Sequence, residues 1–340
     1  MSGLSRRNFA KALASMMLVP LAAPLMSRKA FAAGETIKVA LLLPGSVADG
    51  GWSQLAYQGL QSLKAQGFAI ASSESVPQAQ MEQVIRGYAD DGYNLIIGHS
   101  FEYGSAFNEI GPEYPDTYFF ATTFKPSEKA PNNVEFVDLA YLNAAYGAGA
   151  LAALISEKGK AVGYVGGGDN PTQQGMMRAF IAGAEKTRAG IKGLGIVTGD
   201  YDNAAKGREA ASTMIGNGAD VIWHSADVTG LGAIQGAAAA KVKAIGCYSD
   251  QKSIAPEFVA TSFETNLPWV VEQVAHSVRD KKFLGGQEWK PKVSEAWLPL
   301  YGSEKYNSKL VSAAAWASFQ SIWAQLANGS IDVASMIKAK

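Results

Sequence analysis

Three histidines, one cysteine and a scatter of carboxylates are the groups in this chain with chemistry to offer. His99 and His224 are each followed by serine, and Asp227 stands three residues beyond His224. An H-x-x-D spacing is a loose metal signature, and no H-E-x-x-H or C-x-x-C accompanies it. His276 falls in a helical pattern. Cys247 lies inside the apolar run "VKAIGCYSD" and reads as a buried thiol rather than a nucleophile. No G-x-S-x-G elbow occurs, and no nucleophile is paired with a base. The triple glycine at 166–168 has neither phosphate-loop nor dinucleotide spacing. These residues point away from an enzyme and toward a binding protein, with no metal and no cofactor.

Binding residues are a different matter. "PGSVADGGWSQLAYQGL" (44–60) sets one carboxylate and one tryptophan in a glycine-rich loop between an apolar run and a helical pattern. Asp49 suits the cap of that helix, and the glycines let backbone approach a ligand closely. Trp52 either presents a flat face beside the helix N-terminus or packs locally on its own helix. Ser53 is next to it. Similar polar and aromatic groups follow the other apolar runs: Phe101 and Glu102, then Asp169 and Asn170, then Tyr201 and Asp202. Asp227 and Asp250 follow the runs at 219–224 and 242–247.

The elements that position these residues are short apolar runs alternating with helical segments. Strands are expected at 36–43, 68–73, 94–98, 117–122, 134–137, 160–166, 192–198, 219–224, 242–247 and 258–263. Helices are expected at 52–66, 78–91, 103–113, 139–157, 172–189, 203–216, 229–240, 265–282 and 304–327. Short Val/Ile/Leu/Ala runs separated by helices of this length mean βαβ units and parallel sheets. The pattern also repeats. "DDGYNLIIGHSFEYGSAFNEIG" (90–111) is echoed by "GNGADVIWHSADVTGLGAIQGA" (216–237), which argues for two similar α/β lobes. Open parallel sheets bind ligands at the carboxyl ends of their strands, so these polar and aromatic residues should converge on one cleft.

The whole chain, 340 residues with 48% hydrophobic and 18% charged, has ordinary globular composition. Residues 1–33 stand apart. Paired arginines at Arg6 and Arg7, an apolar run interrupted by Pro20 and Pro24, and the small residues around Ala32 and Ala33 resemble a twin-arginine export signal, with cleavage expected near that point. Five of the 30 basic residues belong to it and none of the 30 acidic ones, which leaves 25 against 30 and a mature charge near −5. No basic patch speaks for nucleic acid. No other stretch is long and apolar enough to span a bilayer, so the mature chain is expected to be free of the membrane, monomeric and periplasmic.

The chain resembles the solute-binding proteins of the BMP (basic membrane protein) family, which serve ABC transporters. The resemblance covers roughly residues 36–300. It rests on "DGGWSQLAYQGL", "NLIIGHSF", "GADVI", "DVTGLGAIQGA" and "IGCYSDQ" in that order. It implies a type I periplasmic binding fold: two Rossmann-like lobes with parallel sheets joined by a hinge. The expected division is 35–137 plus 262–284 for the first lobe and 138–261 plus 285–340 for the second. It also implies a purine ligand, with Trp52 stacking on the base and Tyr201 closing the sandwich. Asp227 and Asp250 would supply polar contacts, with Asp49 and Ser53 beside the stack. Nucleoside binders of the family tend to carry an aspartate where this chain has Ser105, and a lysine near Glu264. Those departures weaken the case for ribose recognition and open the reading to a free base such as adenine as well as a nucleoside. The partner implied is an ABC permease. A sugar or other small polar ligand, a sensor role and a nucleoside hydrolase are the alternatives.

Overall fold

The computed structural model describes residues 36–122, 130–299 and 307–338. The export signal read at 1–33 lies outside the described residues.

The first lobe is built on strands β1 (Lys38–Leu42), β2 (Ala69–Ser73), β3 (Leu95–Gly98), β4 (Tyr118–Thr122) and β5 (Val134–Val137). Between them run helices α1 (Trp52–Ala65), α2 (Met81–Asp90) and α3 (Tyr103–Ile110). All these strands pair in parallel. In β1, Val39 through Leu42 are wholly buried, as a strand covered by helices on both faces requires. Ile96, Phe107, Phe119 and Phe136 form the core under α2 and α3.

The chain then crosses at Asp138, whose carboxylate accepts the Ala140 amide, with Ala140 in the left-handed region at φ 54°. The second lobe repeats the plan. Helix α4 (Tyr141–Ile155) leads into β6 (Ala161–Gly166), α5 (Pro171–Thr187), β7 (Lys192–Val197), α6 (Ala204–Gly216), β8 (Ala219–Ser225), α7 (Asp227–Ala239), β9 (Lys243–Tyr248) and β10 (Val259–Thr265). The first sheet has the order β2-β1-β3-β4-β5 and the second β7-β6-β8-β9-β10. The same winding therefore occurs twice. In each lobe the order reverses at one place, between β1 and β3 or between β6 and β8, and ligands in such sheets lie outside that reversal.

The lobe boundaries differ from the expected 262–284 return. β10 remains in the second sheet through Thr265, held by β9 on one side and by β12 on the other. The return to the first lobe is α8 (Leu267–Arg279), which packs on α1. A Cβ at Gly59 would stand 2.8 Å from the Pro268 backbone, so that glycine lets the two helices meet. The return also continues past 284. β11 (Glu288–Trp289) pairs in parallel with Phe136 and Val137 and covers an edge of β5 that would otherwise be open. After α9 (Val293–Ala296), β12 (Trp297–Pro299) runs antiparallel against β10. The tail lies on the second lobe: in α10 (Ala313–Ala327), Trp323 packs over Gly147 of α4 and Phe319 against Phe263. A last helix, α11 (Val333–Lys338), follows. Among the described residues no helix is long and apolar enough to cross a membrane.

Candidate functional site

The loop after β1 is organised by Asp49. Its carboxylate accepts the amides of Gly51 at 2.9 Å, Ser53 at 2.7 Å and Gln54 at 3.1 Å. It therefore caps the N-terminus of α1 from three residues before its first residue, a charged acceptor where the helix leaves free donors. That cap fixes Trp52, the first residue of α1. The indole stacks on His99, which follows β3, with ring centroids 4.2 Å apart and planes 20° from parallel.

His99 is itself locked. Nε2 lies 3.0 Å from the Trp52 carbonyl, which can only accept, so Nε2 carries the proton. Nδ1 then accepts from the Thr122 hydroxyl at 3.2 Å. Burial pushes the imidazole down to about 4, and it is neutral at physiological pH. His224 after β8 plays a matching part. Its Nε2 donates to Gln251 Oε1 at 2.8 Å, and burial pushes it down to about 4 as well. Each histidine is engaged within its own lobe, and they do not form a shared ligand set.

Across the cleft, Tyr201 lies on the glycines after β6. A Cβ at Gly167 would stand 2.2 Å from its ring and one at Gly168 2.6 Å, so only glycine backbone lets the ring sit there. Asn170 caps α5 by accepting the Gln173 amide and donates Nδ2 to the Tyr201 hydroxyl at 3.0 Å. Burial pushes that phenol up to about 12, so it keeps its proton.

Asp227 opens α7 in the left-handed region at φ 45°. The loop before Trp52 packs on its carboxylate: a Cβ at Gly51 would stand 3.3 Å from Oδ1. Burial first, then the charges of Asp49 and Asp202, push it up to about 8. Ser249 Oγ also reaches across, donating to the Gly50 carbonyl at 2.7 Å. The two lobes thus meet along the loop that carries Trp52.

Between them lies a cavity of about 180 Å³. Asp49, Trp52, Ser53 and Phe101 border it from the first lobe, and Asn170, Tyr201 and Asp227 from the second. Phe101 is on the rim, 43% exposed. Asp250 is not among the lining residues. It is exposed, and its carboxylate accepts the Lys252 amide in a local turn. Its neighbour Gln251 turns inward, to His224 and the Cys247 amide. The strand-end rule missed Tyr141 and Tyr248, which also line the cavity. Tyr141 starts α4 directly after the crossing. Tyr248 is the last residue of β9, at φ 70°. A signal for Tyr141 was available: an aromatic beside a chain crossing faces the cleft as directly as one beyond a strand. Glu102 and Asp202 follow strands as expected of cleft residues and complete the polar lining.

Two doubly wound lobes with a cavity at both reversal points define the two-lobed fold of the type I periplasmic kind. A solute-binding protein from Aeropyrum pernix superposes with a TM-score of 0.77 over 87% of this chain and 92% of its own, at 18% identity. One from Conexibacter woesei gives 0.71 over 87% and 98% at 22% identity. The profile described as "Bmp: ABC transporter substrate-binding protein PnrA-like" matches residues 36–325, and the chain belongs to the Bmp family. Its curated relatives include the ABC transporter nucleoside-binding protein BmpA of Lactococcus lactis, 27% identical over 71% of this chain and 74% of that protein. A purine-binding protein of Brucella abortus is 29% identical over 72% and 70%. The transcriptional activator protein Med of Bacillus subtilis is 26% identical over 75% and 79%. Members of the family are solute-binding proteins of ABC transporters rather than enzymes, and a small-molecule ligand and a permease are the partners that go with that class.

Proposed function

We propose that this protein is the periplasmic binding component of an ABC importer and carries a purine, a free base such as adenine, in the cleft between its lobes. The observation that carries the reading is the Trp52 indole, clamped on one side by His99 and bordering a cavity with Tyr201 on the opposite lobe. A cavity of about 150 Å³ is known to hold benzene. The 180 Å³ here suits a fused bicycle and is below the several hundred Å³ of drug-sized sites. The relatives named for purine and nucleoside binding support the same class of ligand. In this reading Asp49 holds the stack in place, Ser53, Phe101 and Asn170 surround the ligand, and Asp227 makes a polar contact to it. The twin-arginine signal at 1–33 delivers the folded protein to the periplasm, where the closed form meets its permease.

Mass spectrometry of the small molecule that co-purifies with the protein, followed by titration calorimetry with adenine, guanine, hypoxanthine and their nucleosides, tests the proposal. A purine in the cleft is expected. A co-purified ligand of another class, with no heat from any purine, overturns it.

A further inference from the structure

The hydrogen bonds at the head of α5 fix which way its polar groups face the cavity. Asn170, Gln173 and Tyr201 all line it. Asn170 Oδ1 accepts the Gln173 amide at 3.0 Å. A backbone amide can only donate, so the carbonyl branch of Asn170 is the one turned to the helix, and the other branch is the NH2. That NH2 lies 3.0 Å from the Tyr201 hydroxyl and can only donate, so the Tyr201 oxygen accepts. Burial keeps the phenol protonated. Its proton is thus directed to a further acceptor, and the bond received from Asn170 strengthens its donation. Gln173 has the same polarity. Its Oε1 takes the Tyr164 hydroxyl at 2.5 Å, the Ser225 hydroxyl at 2.9 Å and the Gly167 amide at 3.3 Å. That oxygen is engaged inside the lobe, which leaves the NH2 for the cavity side.

We infer that the Tyr201 hydroxyl is a specificity-determining donor, which reads a hydrogen-bond acceptor on the edge of the bound ligand, and that Asn170 is the residue that positions its proton. This rests on the reading that the cleft holds a flat ligand, but not on that ligand being a purine. Stacking uses the ring of Tyr201, and a phenylalanine would serve it equally; the role inferred here uses the oxygen. The ring lies against Gly167 and Gly168, which sets the direction of the C–O bond. A ligand with a ring nitrogen or a carbonyl oxygen on the facing edge satisfies the donor. A ligand with C–H there leaves the donor unpaired in the closed cleft, at about tenfold in affinity.

The test is titration calorimetry on the purified protein, Tyr201→Phe and Asn170→Asp. Adenine is compared with 1-deaza-, 3-deaza- and 7-deazaadenine, each of which exchanges one acceptor nitrogen for C–H at nearly constant shape. Quinoline against naphthalene makes the same comparison outside the purines. Tyr201→Phe removes only the hydroxyl. Asn170→Asp keeps an oxygen to cap α5 but sets a carboxylate oxygen where the NH2 was, which draws the Tyr201 proton back from the cavity. Adenine is expected to bind about tenfold tighter than one of its deaza analogues, and that gap should close in both variants while the other analogues keep their ratio to adenine. Thermal midpoints establish that the variants are folded, and a merely structural role would weaken every probe alike and leave the gap. Equal weakening of all probes, or a gap that persists in Tyr201→Phe, overturns the inference. A gap closed by Tyr201→Phe but not by Asn170→Asp removes the positioning role of Asn170 alone. If no purine binds but quinoline beats naphthalene and Tyr201→Phe abolishes the difference, the purine proposal falls and the donor stands. If adenine binds with no gap that Tyr201→Phe closes, the purine proposal stands and the donor falls. Where neither adenine nor quinoline binds, the donor falls, and the purine proposal is decided by its own panel.

Discussion

At Trp52 the indole lies against a neutral imidazole that is hydrogen-bonded to the tryptophan's own carbonyl. Stack and hydrogen bond hold the ring in place before any ligand arrives, so little ordering remains to oppose binding. Removing the ring takes away a base stack of ~1–3 kcal/mol. Trp52→Ala should therefore weaken purine binding about tenfold or more by calorimetry, while circular dichroism stays native. An unchanged affinity would remove the stacking role. Asp227 makes a second prediction at this scale. Its folded value, about 8, is above the ordinary carboxylate value of 3.8. The empty protein thus holds a proton there that the unfolded chain gives up, and the stability this contributes is complete below about 4 and is lost as pH rises through about 8. Thermal midpoints of the empty protein, measured from pH 4 to 8, should fall relative to those of Asp227→Asn. Parallel curves would show that the carboxyl is not held protonated.

At the scale of elements, His99 and His224 stand just past β3 or at the end of β8, equivalent places in the two sheets. Both are buried and depressed to about 4, below the ordinary 6.5. Neutral imidazoles contribute stability that is present above pH 6.5 and lost as pH falls through about 4, the opposite sense to Asp227. His99→Asn or His224→Asn should flatten the acid limb of the thermal midpoint between those values, and an unaltered limb would contradict their neutral burial. The long elements were legible in the sequence because their apolar period is unambiguous. The ten major strands and eight of the helices fall where the pattern puts them, and the helix expected from 304 starts at Ala313. The two-residue β11, the three-residue β12 and the four-residue α9 are too short to carry a period, and with them went the true lobe boundaries. The site was legible to the extent that its residues follow strands. Trp52, Tyr201 and Asp227 do. Tyr141 sits at a crossing that the pattern did not mark. Asp250 was misplaced by a single position, because the turn after Tyr248 at φ 70° directs Gln251 inward and leaves the aspartate outside.

At the scale of the molecule, the chain crosses between lobes three times: after Val137, after Thr265 and between Trp289 and Trp297. Such a hinge lets the lobes separate while each sheet stays intact. Individual contacts between the lobes can be removed singly. Ser249→Ala deletes the bond to the Gly50 carbonyl and should shift the empty protein toward the open form. Small-angle scattering should then give a larger radius of gyration without ligand and an unchanged one with saturating ligand. The same radius in both proteins when empty would show that this bond does not hold the lobes.

The seam between the halves is fastened at Gly50 by a hydroxyl of the chain itself. Under the proposed function, a fastening that owes nothing to the solute helps closure around every solute alike, so Ser249 governs how readily the halves come together while the cavity lining governs on what.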